Sequence, residues 1–431
     1  MKSSSRYRWV VVVIFFFFIL LHQADKLLIG PLANSIIQTF GINLAQFGRV
    51  GGLTLLVALI FYIIWGYLYD RFARSKLLSL SSFIWGITTW LGAIAPTFPT
   101  FVAARALTGI DDASYPGLYS IISDYFGPRV RGKIYGLLQT AQPIGYIIGM
   151  FLGLQLASTV GWRGIFFITG SLGVVMALVI FFSIREPERG MSEPELEDLE
   201  TIGVYRFDWE TAKGLFRKKS LVLLYVQGFF GVFPWNVITL FFFLYLETER
   251  NYSPDQVMVS MVIAVLTMAV GYFVGGAIGD YAFKHTPRGR LIVATIGVFL
   301  GAMLLLITLN LPEENFSLFT LMLAVTAFFM PFASPNTVSS VYDITLPEVR
   351  STALSLQNFS ELAGSWIAPI IAGQIADATS LQTAIPAVSV TAWLLCTAFF
   401  IVAAYLIPND IATLRSQMEE RAEADLAAQA A

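Results

Sequence analysis

The sequence predicts an all-α integral membrane protein, with twelve transmembrane helices in two pseudo-symmetric six-helix bundles. Three observations lead there. Of its 431 residues, 56% are hydrophobic and 13% charged, where a soluble domain carries about 25% charged residues. Apolar runs of spanning length recur along the chain. Polar segments beside those runs in the first half reappear, at matching places, in the second. A single soluble core stops growing at about 250–300 residues, so a soluble fold could not bury this much apolar side chain.

A spanning helix needs roughly 20 mostly apolar residues. Twelve such runs are centred near residues 23, 58, 86, 112, 144, 174, 234, 266, 300, 329, 363 and 395. The first opens KSSSRYRWVVVVIFFFFILL, with the basic start of a signal peptide. No small-residue cleavage site follows, and the run continues past a charged pair to about residue 37, so it reads as a retained helix. After the sixth run comes the long polar stretch, which begins REPERG, carries SEPELEDLE and ends in a possible surface helix, DWETAKGLFRKKS. The chain therefore divides into a bundle at 1–184, a linker at 185–218, a bundle at 219–407 and a tail at 408–431.

Basic residues cluster on one side of the spans: Lys2, Arg6 and Arg8, then Arg71, Arg74 and Lys76, then Arg129, Arg131 and Lys133. The linker, Lys284, Arg288, Arg290 and Arg350 continue the set, while the opposite loops are nearly bare apart from Arg49, Arg163 and Arg250. Positive residues mark the cytoplasmic side. Both termini and the linker are thus expected in the cytoplasm, with the protein in the cell membrane. The single cysteine, Cys396, lies in an apolar run, which leaves no disulfide framework or metal cluster. It reads as an inert core residue.

The halves resemble each other. GYLYDRFARSK (66–76) follows the second span and GGAIGDYAFKH (275–285) follows the eighth. PRVRGKIYGLLQTAQPIGYIIG (128–149) opens the fifth span, and PEVRSTALSLQNFSELAGSWIAPIIAG (347–373) opens the eleventh. Internal repeats in a membrane chain mark a transporter, with substrate bound near the midplane where the repeats meet.

Over essentially its whole length the chain resembles the major facilitator superfamily. Gly66, Asp70, Arg71 and Arg74 match that family's GxxxDRxxR loop, and Arg105, Gly109 and Ala113 match its RxxxGxxxA pattern on the fourth span. Within the superfamily it is most similar to the Spinster-like branch, through GYLYDRF, RALTGIDDASY, EPERG and the eleventh-span PEVRSTALSLQ segment. It departs from that branch in three places. Asp112 stands for the glutamate of GEASY, Asp111 for the small residue before it, and Lys26 for the arginine that follows the first-span aspartate. The YPG at 115–117 also echoes the GEAxxxPG element of the organic anion–cation symporter branch.

Ionisable residues inside a bilayer cost several kcal/mol and persist where they pair or face water. Here they are Asp25 and Lys26, Arg105, Asp111 and Asp112, and Glu361, with His22 three residues before Asp25 and so on its face. The resemblance implies that spans 1, 4, 7 and 10 line a central cavity. Arg105 and Asp112 are seven residues apart and share a face with Gly109 between them, whereas Asp111 is turned about 100° away and reads as a packing residue. Burial favours a neutral acid and a neighbouring arginine favours its carboxylate. A cluster in which these compete can exchange protons, or can merely hold two helices together. Glu361 reads as a second protonation or headgroup site, or else as a hydrogen-bonded core residue.

Gln227, Asn236 and Asn336 could hydrogen-bond substrate, although polar side chains in spans also join helices. Phe230, Phe233 and Trp235 surround them. Asp70, Arg71 and Arg74 suit a latch at the cytoplasmic side, or positive charge that only sets topology. Gly145, Gly149 and Gly153 form a small-residue stripe for close packing, and Pro143 and Pro369 mark bends.

The reading is a secondary active transporter, proton-coupled and working by alternating access as a monomer. Its substrate is an amphiphile such as a lysophospholipid, which the Spinster resemblance implies; the alternative is an organic anion, a sugar acid or carboxylate. No nucleotide motif or metal-ligand cluster supports an enzyme, and no cofactor or nucleic-acid partner is expected.

Overall fold

The computed structural model describes residues 5–126, 134–135, 137–187, 215–345 and 350–430. Arg129, Arg131, Lys133 and the acidic SEPELEDLE run lie outside the described residues, as does the side chain of Asp70. Every regular element among them is helical.

Nine helices among the described residues are long and apolar enough to cross a membrane. One of these, Leu137–Ser183, holds two spans. Gly161 adopts φ 72° and ψ 161° inside it, a left-handed turn that divides spans five and six. Spans four and eleven are each broken: Phe98–Asp112 then Tyr115–Tyr125, and Arg350–Ser365 then Ile367–Ala378. Counting these gives the twelve membrane-spanning helices of the expected all-α architecture. Many large apolar side chains are exposed, Phe182 and Phe273 at 79% each, as suits a surface wetted by lipid.

The chain forms two compact units. Unit 1 comprises residues 1–205, 238–258 and 369–381, and unit 2 comprises 206–237, 259–368 and 382–431. In unit 1 the core joins spans one, three and four, where Phe15, Phe18, Trp85, Leu118 and Ile121 are almost fully buried. Helix Leu44–Arg71 begins with a capping box between Asn43 and Gln46. Its first amides also donate to Asp377, Leu44 at 2.7 Å and Ala45 at 2.9 Å, placing a carboxylate at the positive helix end.

The glycine stripe of span five lies against span one. A Cβ on Gly145 would stand 2.5 Å from the Leu20 carbonyl oxygen, one on Gly149 2.5 Å from that of Ala24, and one on Gly153 2.5 Å from Pro31. Only glycine permits this approach, which brackets the stretch of span one that carries His22 and Asp25.

At one end of each unit an arginine gathers carboxylates. In unit 1, Arg74 opens helix Arg74–Ile94 and is 3% exposed. It pairs with Asp124 at 2.6 Å and Glu186 at 2.7 Å and donates to Ser120 at 2.7 Å. In unit 2, Arg290 near the start of Gly289–Leu309 contacts Asp280 at 2.8 Å and also pairs with Asp343. The two sets sit at matching places in the repeat: after spans two and eight, and at the ends of four and ten. Asp124, Glu186 and Asp343 were not singled out from the sequence, because nothing in their spacing names a partner. Arg71 is exposed, its guanidinium 4.5 Å from the Tyr67 ring centre, so it stands apart from Arg74.

Two outcomes are expected. Arg74→Ala takes the guanidinium away from Asp124 and Glu186 and should cost about 3 kcal/mol in denaturant unfolding, with Arg74→Lys retaining part of it; a loss below about 1 kcal/mol would make the pairs ornamental. Gly149→Leu should lower the melting midpoint of the purified protein, costing about 1–3 kcal/mol by overpacking, while a leucine at Gly66, which has no neighbour within 4 Å, should be nearly neutral.

Candidate functional site

The first cluster lies wholly in unit 1, where span four breaks. Pro116 has no amide hydrogen, so the carbonyl of Asp112 loses its helical partner and the helix ends there. Span two takes up the freed carbonyls. Trp65 Nε1 donates to the Ile110 oxygen at 2.6 Å, and the Tyr69 hydroxyl donates to that of Ser114 at 2.9 Å. Gly109 faces the same helix, where a Cβ would lie 2.1 Å from the Thr54 oxygen.

The break leaves Asp111 and Asp112 on a last turn that opens onto span one. His22 Nε2 lies 2.9 Å from Asp111 Oδ2 and 3.4 Å from Asp112 Oδ1. Lys26 Nζ lies 3.1 Å from Asp112 Oδ2. His22 Nδ1 is 2.6 Å from the Tyr115 hydroxyl, to which Gln23 Nε2 also donates at 3.0 Å. Ser114 Oγ donates to Asp111 Oδ1 at 3.3 Å. The imidazole sits between Phe18, stacked at 5.9 Å, and Trp85, edge-on at 5.2 Å. With a neutral ring, the hydrogen bonds run in one sense. Gln23 donates to Tyr115 and Tyr115 to His22 Nδ1, a tautomer assigned from the partners, which sets Nε2–H against the Asp111 carboxylate at ion-pair distance. Every member except Lys26, whose side chain is 42% exposed, is shielded by its neighbours.

Asp25 belongs to a second group. Thr169 donates to its Oδ1 at 2.6 Å and Thr89 to its Oδ2 at 3.5 Å. Arg105 Nη1 lies 3.6 Å from Oδ2, an ion pair longer than a hydrogen bond. The guanidinium stands 5.2 Å from the Phe166 ring centre, and its Nε and Nη1 have no hydrogen-bond partner.

Unit 2 contains a cavity of about 340 Å³. Gln227, Trp235, Gln357, Asn358, Glu361 and Trp393 are among its walls. It opens where helices are interrupted: Val232 separates Lys219–Gly231 from Phe233–Thr248, and Met330–Phe332 is a 3₁₀ turn containing Pro331. Such discontinuities are where transporters place binding sites. Helix Lys219–Gly231 approaches Arg350–Ser365 closely, since a Cβ on Gly228 would meet Gln357 Nε2 at 2.1 Å. Gln357 Nε2 donates to Glu361 Oε1 at 2.9 Å.

The structure groups the expected residues differently from the sequence reading. Asp25 of span one stands across from Arg105, as expected, while Asp112 meets His22 and Lys26, so the face shared by Arg105 and Asp112 resolves into two neighbouring groups. Asp111 is not turned away from the cluster. It is fully buried and closer to His22 than Asp112 is, because both acids sit beside a helix end rather than inside regular helix. Gln227, Trp235 and Glu361 share the unit 2 cavity. Phe230, Asn236 and Asn336 are not among its walls. Phe230 stacks on Phe399 at 6.1 Å. Asn236 donates back to the Val232 carbonyl at 2.8 Å. Asn336 donates to Gly275 at 2.9 Å and Phe332 at 2.8 Å, joining two helices as glue. Sequence reasoning missed Gln23, Thr89, Tyr115, Thr169 and Gln357; of these, Tyr115 and Gln357 stood in segments already quoted, RALTGIDDASY and PEVRSTALSLQ.

The model of the Major Facilitator Superfamily matches residues 14–314. Protein spinster of Drosophila melanogaster is 28% identical over 397 residues, 88% of this chain and 63% of the fly protein, so the chain spans under two thirds of that relative's length. A probable L-galactonate transporter of Escherichia coli (strain K12) is 24% identical over 375 residues, 84% of this chain and 81% of its own. Sphingosine-1-phosphate transporter SPNS2 of Xenopus tropicalis is 23% identical over 389 residues, 84% of this chain and 73% of its own. The crystal structure of a bacterial homolog of the human lysosomal transporter Spinster, inward-facing and unoccupied, superposes with a TM-score of 0.80 at 21% identity. It covers 95% of this chain and 99% of that one, a likeness of fold. With the family model spanning most of its length and the same fold in its structural neighbour, this multi-pass chain belongs to the Major Facilitator Superfamily.

Proposed function

We propose that the chain is a secondary active transporter that works by alternating access and couples proton movement to the passage of an amphiphile such as a lysophospholipid. Residues 1–184 and 219–407 are the two moving bundles, joined by the linker at 185–218 and followed by the tail at 408–431. The distribution of basic residues supports cytoplasmic termini; the transporter sits in the cell membrane and acts as a monomer. Asp70, Arg71 and Arg74 act at the cytoplasmic gate, Arg74 through the carboxylates it already holds.

The observation that carries the proton coupling is a charge count. Asp25, Asp111 and Asp112 face two basic side chains, Arg105 and Lys26, in unit 1. One further positive charge makes the group neutral, and His22, in contact with two of the acids, is placed to take it as a proton. Burying an unbalanced charge costs several kcal/mol, so loading and release of that proton would follow access to water as the site opens. Its titratable neighbours are Asp111, Asp112, Lys26 and Tyr115. The relative named for sphingosine-1-phosphate transport favours a lipid-like substrate.

A second reading, an organic anion symporter, has its own support. Arg105 holds two nitrogens without hydrogen-bond partners, Lys26 is half exposed, and one relative is named for L-galactonate.

In proteoliposomes, His22→Gln and Asp112→Asn should each lower proton-driven uptake at least about tenfold, the size of an ordinary coupling free energy, while counterflow exchange persists. Unchanged pH dependence in both variants would remove the coupling. Lysophospholipids should raise the melting midpoint of the purified protein more than sugar acids do; the opposite ranking selects the anion reading.

A further inference from the structure

We propose that the unit 2 cavity is a subsite for an ammonium group, the cationic nitrogen of an amine-bearing substrate. The inference builds on the transport reading but concerns what the cavity binds. Among the described residues that line it, Glu361 is the one charged side chain, and no lysine, arginine or histidine is present. The remaining polar lining is built from amides and hydroxyls, including Gln227, Asn358 and Thr337.

Two acceptors there lack donors. Gln357 is 1% exposed and spends its Nε2 on Glu361 Oε1, which leaves its own carbonyl, Oε1, buried without a partner. Glu361 receives that one hydrogen bond, and its second oxygen receives none from the described residues. A carboxylate and an amide carbonyl four residues apart on one helix lie on one face. What they lack is a donor that also carries positive charge. A protonated amine supplies both, since an ammonium offers three N–H groups and no acceptor. A carboxylate, phosphate or sugar acid would instead set like charge or another acceptor against Glu361.

The walls suit the rest of such a molecule. Trp235, Tyr272 and Trp393 contribute aromatic surface, which attracts cations as well as apolar groups. The cavity's volume, about 340 Å³, is within the range of small-molecule sites. Unit 1 differs in kind, for its acids stand against two basic side chains, Arg105 and Lys26.

The test measures equilibrium binding to the purified full-length protein at pH 7.5 for three probes with one ring and different charge: phenethylammonium, 2-phenylethanol and phenylacetate. Phenethylammonium should bind at least about tenfold tighter than the neutral alcohol, as a charge-assisted hydrogen bond provides, and phenylacetate weakest. Glu361→Gln, a near-isosteric change, should erase the preference for the cation while leaving the alcohol's affinity and the melting midpoint in place. Equal binding of cation and alcohol by the unaltered protein overturns the proposal without recourse to any variant, and so does a cation preference that survives in Glu361→Gln. Competition identifies the source of the nitrogen. Displacement of phenethylammonium by lysophosphatidylethanolamine but not by lysophosphatidic acid assigns it to a lipid headgroup. Displacement by neither assigns it to a free amine, and equal displacement by both overturns the proposal, because the cavity then takes the acyl chain. Loss of transport without loss of this charge preference would count against the transport reading alone.

Discussion

His22 holds Tyr115 on one ring nitrogen and Asp111 on the other, and much of unit 1 is arranged to keep that imidazole where it is. Span one must come close enough to span four for the contact to form. The glycine stripe of span five lets span one settle without side chains between them, and Pro116 ends the helix so that both acids meet one ring. The indole and hydroxyl of span two take up the carbonyls that this break exposes. Without the imidazole, the fully buried Asp111 keeps Ser114 as its hydrogen-bond donor among the described residues, and breaking such a buried pair costs several kcal/mol. The packing and the chemistry are therefore not separable here, since the residues that set the helix positions also set which charges are balanced.

The two units share a scheme at one end and differ in the middle. Arg74 and Arg290 each begin a helix and gather acids from the ends of neighbouring spans. The interiors follow no such repeat. Unit 1 packs three acids, two cations and a histidine into two adjoining groups, whereas the cavity of unit 2 has a single acid backed by an amide. A duplicated scaffold keeps the contacts that hold its helices and lets the inward-facing side chains diverge, since those answer to the cargo and its coupling ion rather than to the fold.

How much of this the sequence discloses depends on the range of the interaction. The spans, the repeat and the glycine stripe are legible because they rest on periodicity within one helix. His22, Asp25 and Lys26 on span one, and Arg105 and Asp112 on span four, are legible as charges out of place in an apolar run. Their pairing is not. Helical phase puts Asp111 on a different face from Asp112, but phase holds only while the helix continues, and it stops at Asp112. Asn336 looks from its type like a substrate ligand, yet its amide is consumed by the carbonyls of Gly275 and Phe332. Thr89 and Thr169 are ordinary span residues until the fold brings both to Asp25.

Exposure orders the groups in unit 1. Lys26 is the member that reaches solvent, its ammonium on Asp112; behind it lie His22 and the fully buried Asp111. A proton, or an anion approaching from outside, thus meets the Lys26–Asp112 pair before the imidazole. An arginine at position 26, as the Spinster pattern has it, could hold both carboxylate oxygens of Asp112 in a rigid fork. A lysine is a single point charge on a flexible stem and can leave. With Lys26 withdrawn toward an arriving anion, Asp112 loses its cation and His22 becomes the nearest group able to neutralise it by taking a proton. On the proposed reading, arrival of a negative headgroup and uptake of a proton would then favour one another, the linkage that proton symport requires. That proposal rests on Lys26, one of the three substitutions that set this chain apart from the pattern it otherwise resembles.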